Sequence, residues 1–213
     1  MSVSRVAACA LMPALLLACG DRADRSGEAV ASRTTGASSL ADRHAYCSLA
    51  AEKPEPIVDP VAAAPIAHAL RAAIDEPGAF RDPKARFWAV RLPCNEMIVA
   101  WVEGRNVCGT GGCNLFIWEA SGPGLRLLGD VPVSWPPIRL LEGRAKGRPI
   151  LAVWTRGGGI QQGYERSFHF DGTEYPMTTG DDWNRRVASD AAGIVLIPEL
   201  RAMEDGLPLY HDG

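Results

Sequence analysis

Histidine is scarce in this sequence, and no histidine stands at metal-ligand spacing. The four present are His44, His68, His169 and His211, and neither an HExxH nor an HxH pattern occurs. Because such patterns bring imidazoles to one metal ion, a metallohydrolase has no support. The acidic pair Asp181-Asp182 lacks the spaced oxygen ligands of a calcium loop. We therefore predict no metal site and no cofactor.

Basic runs and phosphate-binding loops are also missing. The formal net charge is -3 at pH 7, and no run of lysine and arginine occurs, which argues against nucleic acid as a partner. The glycines at 109–112 and 157–159 lie between predicted strands, whereas phosphate loops need a helix N-terminus after the glycines. No nucleic-acid or nucleotide partner is expected.

The sequence also lacks a recognisable catalytic set. Glu165, Ser167 and His169 share one face of a predicted strand, but successive residues on such a face lie about 6.8 Å apart. A serine–histidine pair works at about 2.6–3.2 Å, and Ser167 has no nucleophile elbow around it. We interpret these three residues as a solvated polar face and assign no catalytic residue.

No run is long enough to span a membrane, but an apolar stretch lies near the start of the chain. Val6–Ala18 follows Arg5 and contains no charge. It falls short of the roughly 20 apolar residues of a membrane-spanning helix and is typical of a secretory signal peptide, predicted over residues 1–18. The alternatives are a lipoprotein signal peptide, which is cut directly before a cysteine, and an ordinary signal peptide that is cut elsewhere.

The end of the apolar stretch carries a motif. Leu16-Leu17-Ala18-Cys19-Gly20 resembles the lipobox of bacterial lipoproteins, with Leu17 where alanine or serine is commoner. The resemblance implies diacylglycerol on Cys19, acyl chains such as palmitate on the new N-terminus, and a lipid anchor in the cell envelope. Because Gly20 stands where inner-membrane lipoproteins tend to carry aspartate, a periplasm-facing position on the outer membrane is favoured over the inner membrane.

Four cysteines remain after Cys9 and Cys19 are set aside: Cys47, Cys94, Cys108 and Cys113. An even number in an exported chain indicates two disulfides, with three possible connectivities. We favour Cys108–Cys113, whose intervening glycines suit a small ring, and Cys47–Cys94. A zinc site at Cys-x4-Cys is the alternative, but no histidine follows nearby.

Hydrophobic periodicity divides the chain into a flexible tether at 19–40 and a single β-rich domain at 41–213. One helix is predicted over Pro65–Asp75, with Ile66, Leu70 and Ile74 on one stripe. The remaining segments alternate or are apolar throughout, which is typical of strands. They are predicted at 87–92, 97–102, 115–118, 125–130, 138–141, 150–155, 164–170, 173–175 and 194–197.

The fold class is therefore α+β, mainly an antiparallel β meander with one N-terminal helix. Ile98–Trp101 and Ile150–Trp154 each precede a glycine-rich loop and a further strand. This spacing of about 50 residues suits duplicated blade-like units; a single meander, curled on itself, is the simpler alternative.

Tryptophan is the best candidate for binding. Trp135 and Trp183 lie in proline-rich or polar segments predicted as connections, and Arg156 adjoins three glycines. Exposed tryptophan and arginine are common anchors of protein interfaces. The alternative is that both indoles fold back onto the sheet. Trp88, Trp101, Trp118 and Trp154 are expected in the core.

Four segments carry a second resemblance. They are Cys108–Leu115, Trp135–Ile138, Arg156–Gly159 and Phe170–Pro176. With them, the chain resembles a set of uncharacterised proteobacterial envelope proteins over roughly residues 85–177. The resemblance implies a folded periplasm-facing domain and no particular activity. The leading hypothesis is a lipid-anchored module that binds another envelope protein, as an inhibitor, an immunity factor or an assembly accessory. An envelope hydrolase and a purely structural lipoprotein are the alternatives.

The lipid anchor is testable by metabolic labelling. In cells grown with labelled palmitate, we expect the wild-type chain to incorporate the label and Cys19→Ser to lose it, because the thioether and the new N-terminus both depend on that residue. Cys9→Ser, which changes the other leader cysteine, should be labelled normally. Label retained in Cys19→Ser would contradict the assignment.

Overall fold

The structure is a computed structural model that describes residues 47–75, 77, 80–121, 124–157, 159–177, 186–199 and 205–210. The predicted signal peptide, Cys19, the tether and Trp183 lie outside the described residues, as do His44, His211 and Asp181-Asp182.

One α-helix and nine strands make up the described regular structure. They are β1 (Glu55–Ile57), α1 (Pro60–Ile74), β2 (Arg86–Leu92), β3 (Met97–Glu103), β4 (Cys113–Ser121), β5 (Gly124–Ala145), β6 (Arg148–Gly157), β7 (Ile160–Phe168), β8 (Gly193–Ile197) and β9 (Leu207–Pro208). Short 3-10 turns occupy Leu49–Ala51 and Pro93–Asn95.

The strands pair in chain order from β1 to β7, and every pairing is antiparallel. β8 adds to β5, and β9 adds to β2. The 22-residue β5 pairs with β4 up to Ser134 and with β6 from Trp135 onward. The mainly antiparallel sheet with one helix confirms the predicted class, while the duplication of blade-like units stays a prediction.

Alternation along β3 builds the core on both of its faces. Met97, Val99 and Trp101 join an apolar cluster with residues of β5, β6 and β8. Ile98, Ala100 and Val102 point the other way and join a cluster with α1. All six are buried, as the unbroken apolar run predicts, and each large one contributes about 1.5–3 kcal/mol by leaving water.

Helix α1 begins five residues earlier than predicted. The Asp59 carboxylate accepts hydrogen bonds from the amides of Val61 and Ala62, and Pro60 takes the favourable first position. Pro65 therefore lies inside the helix instead of opening it. Its missing N–H removes only one hydrogen bond, which the burial of Ile66 and Leu70 offsets.

Two strand predictions are wrong. Trp135 and the prolines after it lie within β5, not in a connection. The register shift between Trp135 and Ile138 relieves the prolines of any need to donate to the β6 ladder. Residues 173–175 form no strand, because the Asp171 carboxylate accepts hydrogen bonds from the next amides, Thr173 and Glu174, and holds a turn there.

The first described residues are held against the turn between β2 and β3. Cys47 is disulfide-bonded to Cys94, with their Cα atoms 6.0 Å apart. The buried Glu52 carboxylate accepts hydrogen bonds from the Cys94 amide and the Asn95 side chain, and Arg144 donates to the Asn95 side-chain oxygen.

The second disulfide joins Cys108 to Cys113. Both pairs are those favoured from the sequence.

Candidate binding cleft

A cleft of about 480 Å³ opens where β5 leaves β4 and joins β6. That volume is within the usual range of small-molecule and side-chain pockets, about 300–1,000 Å³. Indoles, prolines and three charged groups line it: Trp101, Glu103, Trp135, Pro136, Pro137, Trp154, Arg156 and Glu199.

The disulfide loop fixes the indole of Trp135. Its Nε1–H donates to the Gly111 carbonyl at 3.0 Å. Gly112 packs against the same ring with φ of +137°, and a Cβ there would lie 2.8 Å from the indole nitrogen. Glycine at 112 therefore permits the contact, and the Cys108–Cys113 bond keeps the loop in place to make it.

Two further hydrogen bonds brace the floor of the cleft. The Trp101 Nε1–H donates to the Ser134 carbonyl at 3.1 Å, and the Ser134 hydroxyl donates to the Cys113 carbonyl at 2.9 Å. Trp101 and Ser134 are buried. Because an unpaired buried donor costs about 1–3 kcal/mol, these bonds favour a single arrangement of the three segments.

Trp154 is a second indole beside Trp135 on the same face of the sheet. The two residues are direct Cα partners in the β5–β6 ladder. The Trp154 ring lies on Gly163 of β7, where a Cβ would come within 2.6 Å of its indole nitrogen. A glycine on the neighbouring strand thus makes room for this half-buried indole.

Three charges surround the aromatic walls. The Arg156 guanidinium lies 4.4 Å from the centre of the Trp135 ring, well inside the range of about 6 Å for a cation–π contact. Glu103 is partly buried, and that burial raises the pKa of its carboxyl. Glu199 is exposed. Within the described ranges, no lysine, arginine or histidine lies within 4.0 Å of either carboxylate.

The structure brings two of the three predicted binding residues together. Trp135 and Arg156 are in contact, although Trp135 also packs back against the core. Sequence reasoning missed Glu103 and Glu199 and assigned Trp154 to the core. A usable signal existed for Trp154, because it stands two residues before Arg156 and so shares its strand face.

The polar row on β7 differs from the prediction. Ser167 Oγ lies 3.2 Å from His169 Nε2, closer than the spacing expected between successive residues on one strand face, although Glu165 does not join them. The strand ends at Phe168, and the histidine side chain is long enough to cross the remaining gap. Glu165 is held instead by Arg139, with 2.7 Å between Nη1 and Oε2.

The Cys108–Cys113 bond leaves no thiolate for the zinc alternative, and no group of three or more His, Cys, Asp or Glu in the described ranges could hold an ion. None of the described helices is long and apolar enough to cross a membrane.

A larger groove of about 1050 Å³ lies between α1 and the β3–β4 side of the sheet. Its helix wall is mostly alanine, and His68, Arg91 and Glu96 are the charged or titratable groups among its lining residues. Trp118 is the aromatic residue among its lining residues, whereas three tryptophans line the smaller cleft.

No protein-family model, curated protein or solved structure matches this chain. The arrangement of the cleft therefore carries the functional argument.

The packing of the disulfide loop on β6 is testable at Gly157. This residue has φ of +80°, and a Cβ would lie 2.3 Å from the Thr110 carbonyl oxygen. Gly157→Ala should lower the free energy of unfolding by about 2–4 kcal/mol, through left-handed strain plus overpacking against a braced loop. Urea unfolding followed by tryptophan fluorescence measures the loss.

Gly159→Ala is the matched control, since Gly159 has φ of +94° but nothing within 4 Å of its Cβ position. It should cost only the strain, about 1–2 kcal/mol. Equal losses in the two variants would show that the loop does not press on β6.

Proposed function

We propose that this protein is a lipid-anchored, periplasm-facing module that recognises another envelope protein. The contact surface is the cleft lined by Trp101, Trp135 and Trp154, called the tryptophan cleft from here on. The observation that carries the proposal is the pair Trp135–Arg156, held at the cleft with the indole nitrogen already bonded to Gly111. Tryptophan and arginine are the commonest anchors of protein interfaces. In this arrangement the indole N–H is already used, and Arg156 covers a ring face that a partner could reach only by displacing it.

Rigidity of the cleft supports a binding role. The Cys108–Cys113 bond, the Gly111–Trp135 hydrogen bond and the Ser134 contacts order the recognition surface before any partner arrives. Ordering on association costs about 0.5–1.5 kcal/mol for each flexible side chain. A surface that is already ordered keeps more of its contact energy as affinity.

The location of the module follows from the proposed anchor. With lipid on Cys19 and a tether at 20–40, the β domain would face the periplasm from the outer membrane. A partner within reach would be another envelope protein, and we favour a role as inhibitor or immunity factor against a wall-degrading enzyme, or as an assembly accessory.

The hydrolase alternative has one specific observation in its favour, the 3.2 Å contact between Ser167 Oγ and His169 Nε2. A histidine at that distance is placed to act as a base toward the hydroxyl. Two features weigh against it: Arg139 engages Glu165, which could otherwise orient the histidine, and neither Ser167 nor His169 lines the tryptophan cleft.

The binding role is testable by affinity capture from envelope extract. The bait is the chain from residue 19 with Cys19→Ser and both disulfides intact, and we expect one protein in stoichiometric amount. Trp135→Ala should weaken that complex about thirtyfold, since losing an aromatic anchor costs about 2 kcal/mol or more. Trp135→Phe keeps an aromatic ring but loses the hydrogen bond to Gly111. Its capture of the partner, compared with that of Trp135→Ala, separates recognition by the ring from support of the disulfide loop.

Phe80→Ala is the control, because Phe80 is an exposed aromatic residue (61%) that does not line the cleft; its capture should match the wild type. Equal capture by Trp135→Ala would rule out the cleft as the contact surface. No captured protein, together with ester or amide turnover that His169→Ala abolishes, would favour the hydrolase. Neither capture nor turnover would favour a structural role.

A further inference from the structure

The cleft already holds a cation of its own. Arg156 is an exposed residue near the end of β6, and its guanidinium lies 4.4 Å from the centre of the Trp135 ring. This contact identifies the ring face as a surface that accepts a planar cation, because the negative face of an indole attracts positive charge. Trp154, directly across the ladder, offers a second indole wall.

The carboxylates make the cleft complementary to positive charge. Glu103 and Glu199 contribute two negative charges against the single positive charge of Arg156. Arg86 is the Cα partner of Glu103 in the β2–β3 ladder, yet its guanidinium donates to the Ala85 carbonyl. Among the described residues, the Glu103 carboxylate therefore lacks a counter-ion within 4.0 Å.

Partial burial of Glu103 also favours a cation in the cleft. Desolvation raises the pKa of Glu103, which means that its charged form is disfavoured in the free protein. A cation beside it would recover that lost interaction. An anionic ligand would gain Arg156 but would face both carboxylates, so charge favours a basic group over an acidic one.

We propose that the cleft accepts one arginine or lysine side chain of the partner protein, stacked on the indoles of Trp135 and Trp154 and paired with Glu103 and Glu199. This inference rests on the proposed function and names the chemistry that the site recognises. Arg156 is then a built-in competitor: it covers the Trp135 face in the free protein and is displaced when the basic side chain enters.

The test uses the chain from residue 19 with Cys19→Ser, labelled with ¹⁵N, and follows the indole N–H signals of the tryptophans by NMR. The probe is N-acetyl-arginine amide, which carries one positive charge. We expect saturable shifts of the Trp135 and Trp154 signals with this probe. N-acetyl-glutamine amide, a neutral comparison, and N-acetyl-glutamate amide should leave both signals in place.

Variants separate charge from shape. The double variant Glu103→Gln, Glu199→Gln keeps the side-chain volumes and should weaken arginine binding about fivefold or more. Arg156→Ala should tighten it about two- to fivefold, because the Trp135 face no longer has its internal occupant. Dispersed NMR spectra confirm that each variant folds.

Equal shifts with the neutral or acidic probe, or unchanged affinity in the double glutamine variant, would overturn the inference. Captured partner that depends on Trp135 but not on Glu103 and Glu199 would overturn it while leaving the proposed function intact. Saturable arginine binding without any captured protein would support this site and count against the proposed function.

Discussion

The structure depends most on three hydrogen bonds around Ser134 and Trp135. Trp101 donates to the Ser134 carbonyl, the Ser134 hydroxyl to the Cys113 carbonyl, and Trp135 to the Gly111 carbonyl. These bonds join β3, the disulfide loop and β5 at the point where the partner strand of β5 changes from β4 to β6. A β-strand can change partners only if its polar groups are satisfied at the change. The Trp101 bond satisfies the Ser134 carbonyl where β5 changes partners, and the Trp135 bond fixes the indole that lines the cleft one residue later.

Sequence patterns that act over a few residues were enough for much of the fold. The apolar run of β3 predicted a covered strand, and the alternation of β2 predicted a strand with one apolar face. The cysteine spacing favoured the two observed disulfides. Predictions failed where the register of distant strands decides the structure and where a local helix-start signal was passed over. β5 runs through Pro136 and Pro137 because a register shift frees them from the ladder, and α1 contains Pro65 because Asp59 and Pro60 start the helix earlier.

The candidate site was likewise predictable from local sequence only in part. Trp135 and Arg156 could be found from composition and flanking residues, but their contact depends on the pairing of β5 with β6, which no local pattern reveals. Glu103 and Glu199 come from the end of β3 and from beyond β8, so they join the site only through the sheet register. The cleft and its border also carry features that are unfavourable for stability alone: the partly buried carboxylate of Glu103 and the positive φ of Val133, a β-branched residue directly before Ser134. Such departures from the rest of a well-packed fold are typical of functional sites.

The central claim is that this cleft is where the protein meets its partner. Photo-cross-linking in living cells tests it most directly, with p-benzoylphenylalanine in place of Thr110, an exposed residue of the disulfide loop that borders Gly157. The same group at Val58, which is 75% exposed beside α1, is the comparison. Our account predicts one discrete adduct with an envelope protein from position 110 and none from position 58. An adduct from position 58 alone would contradict it and would move the interface to the helix side of the sheet.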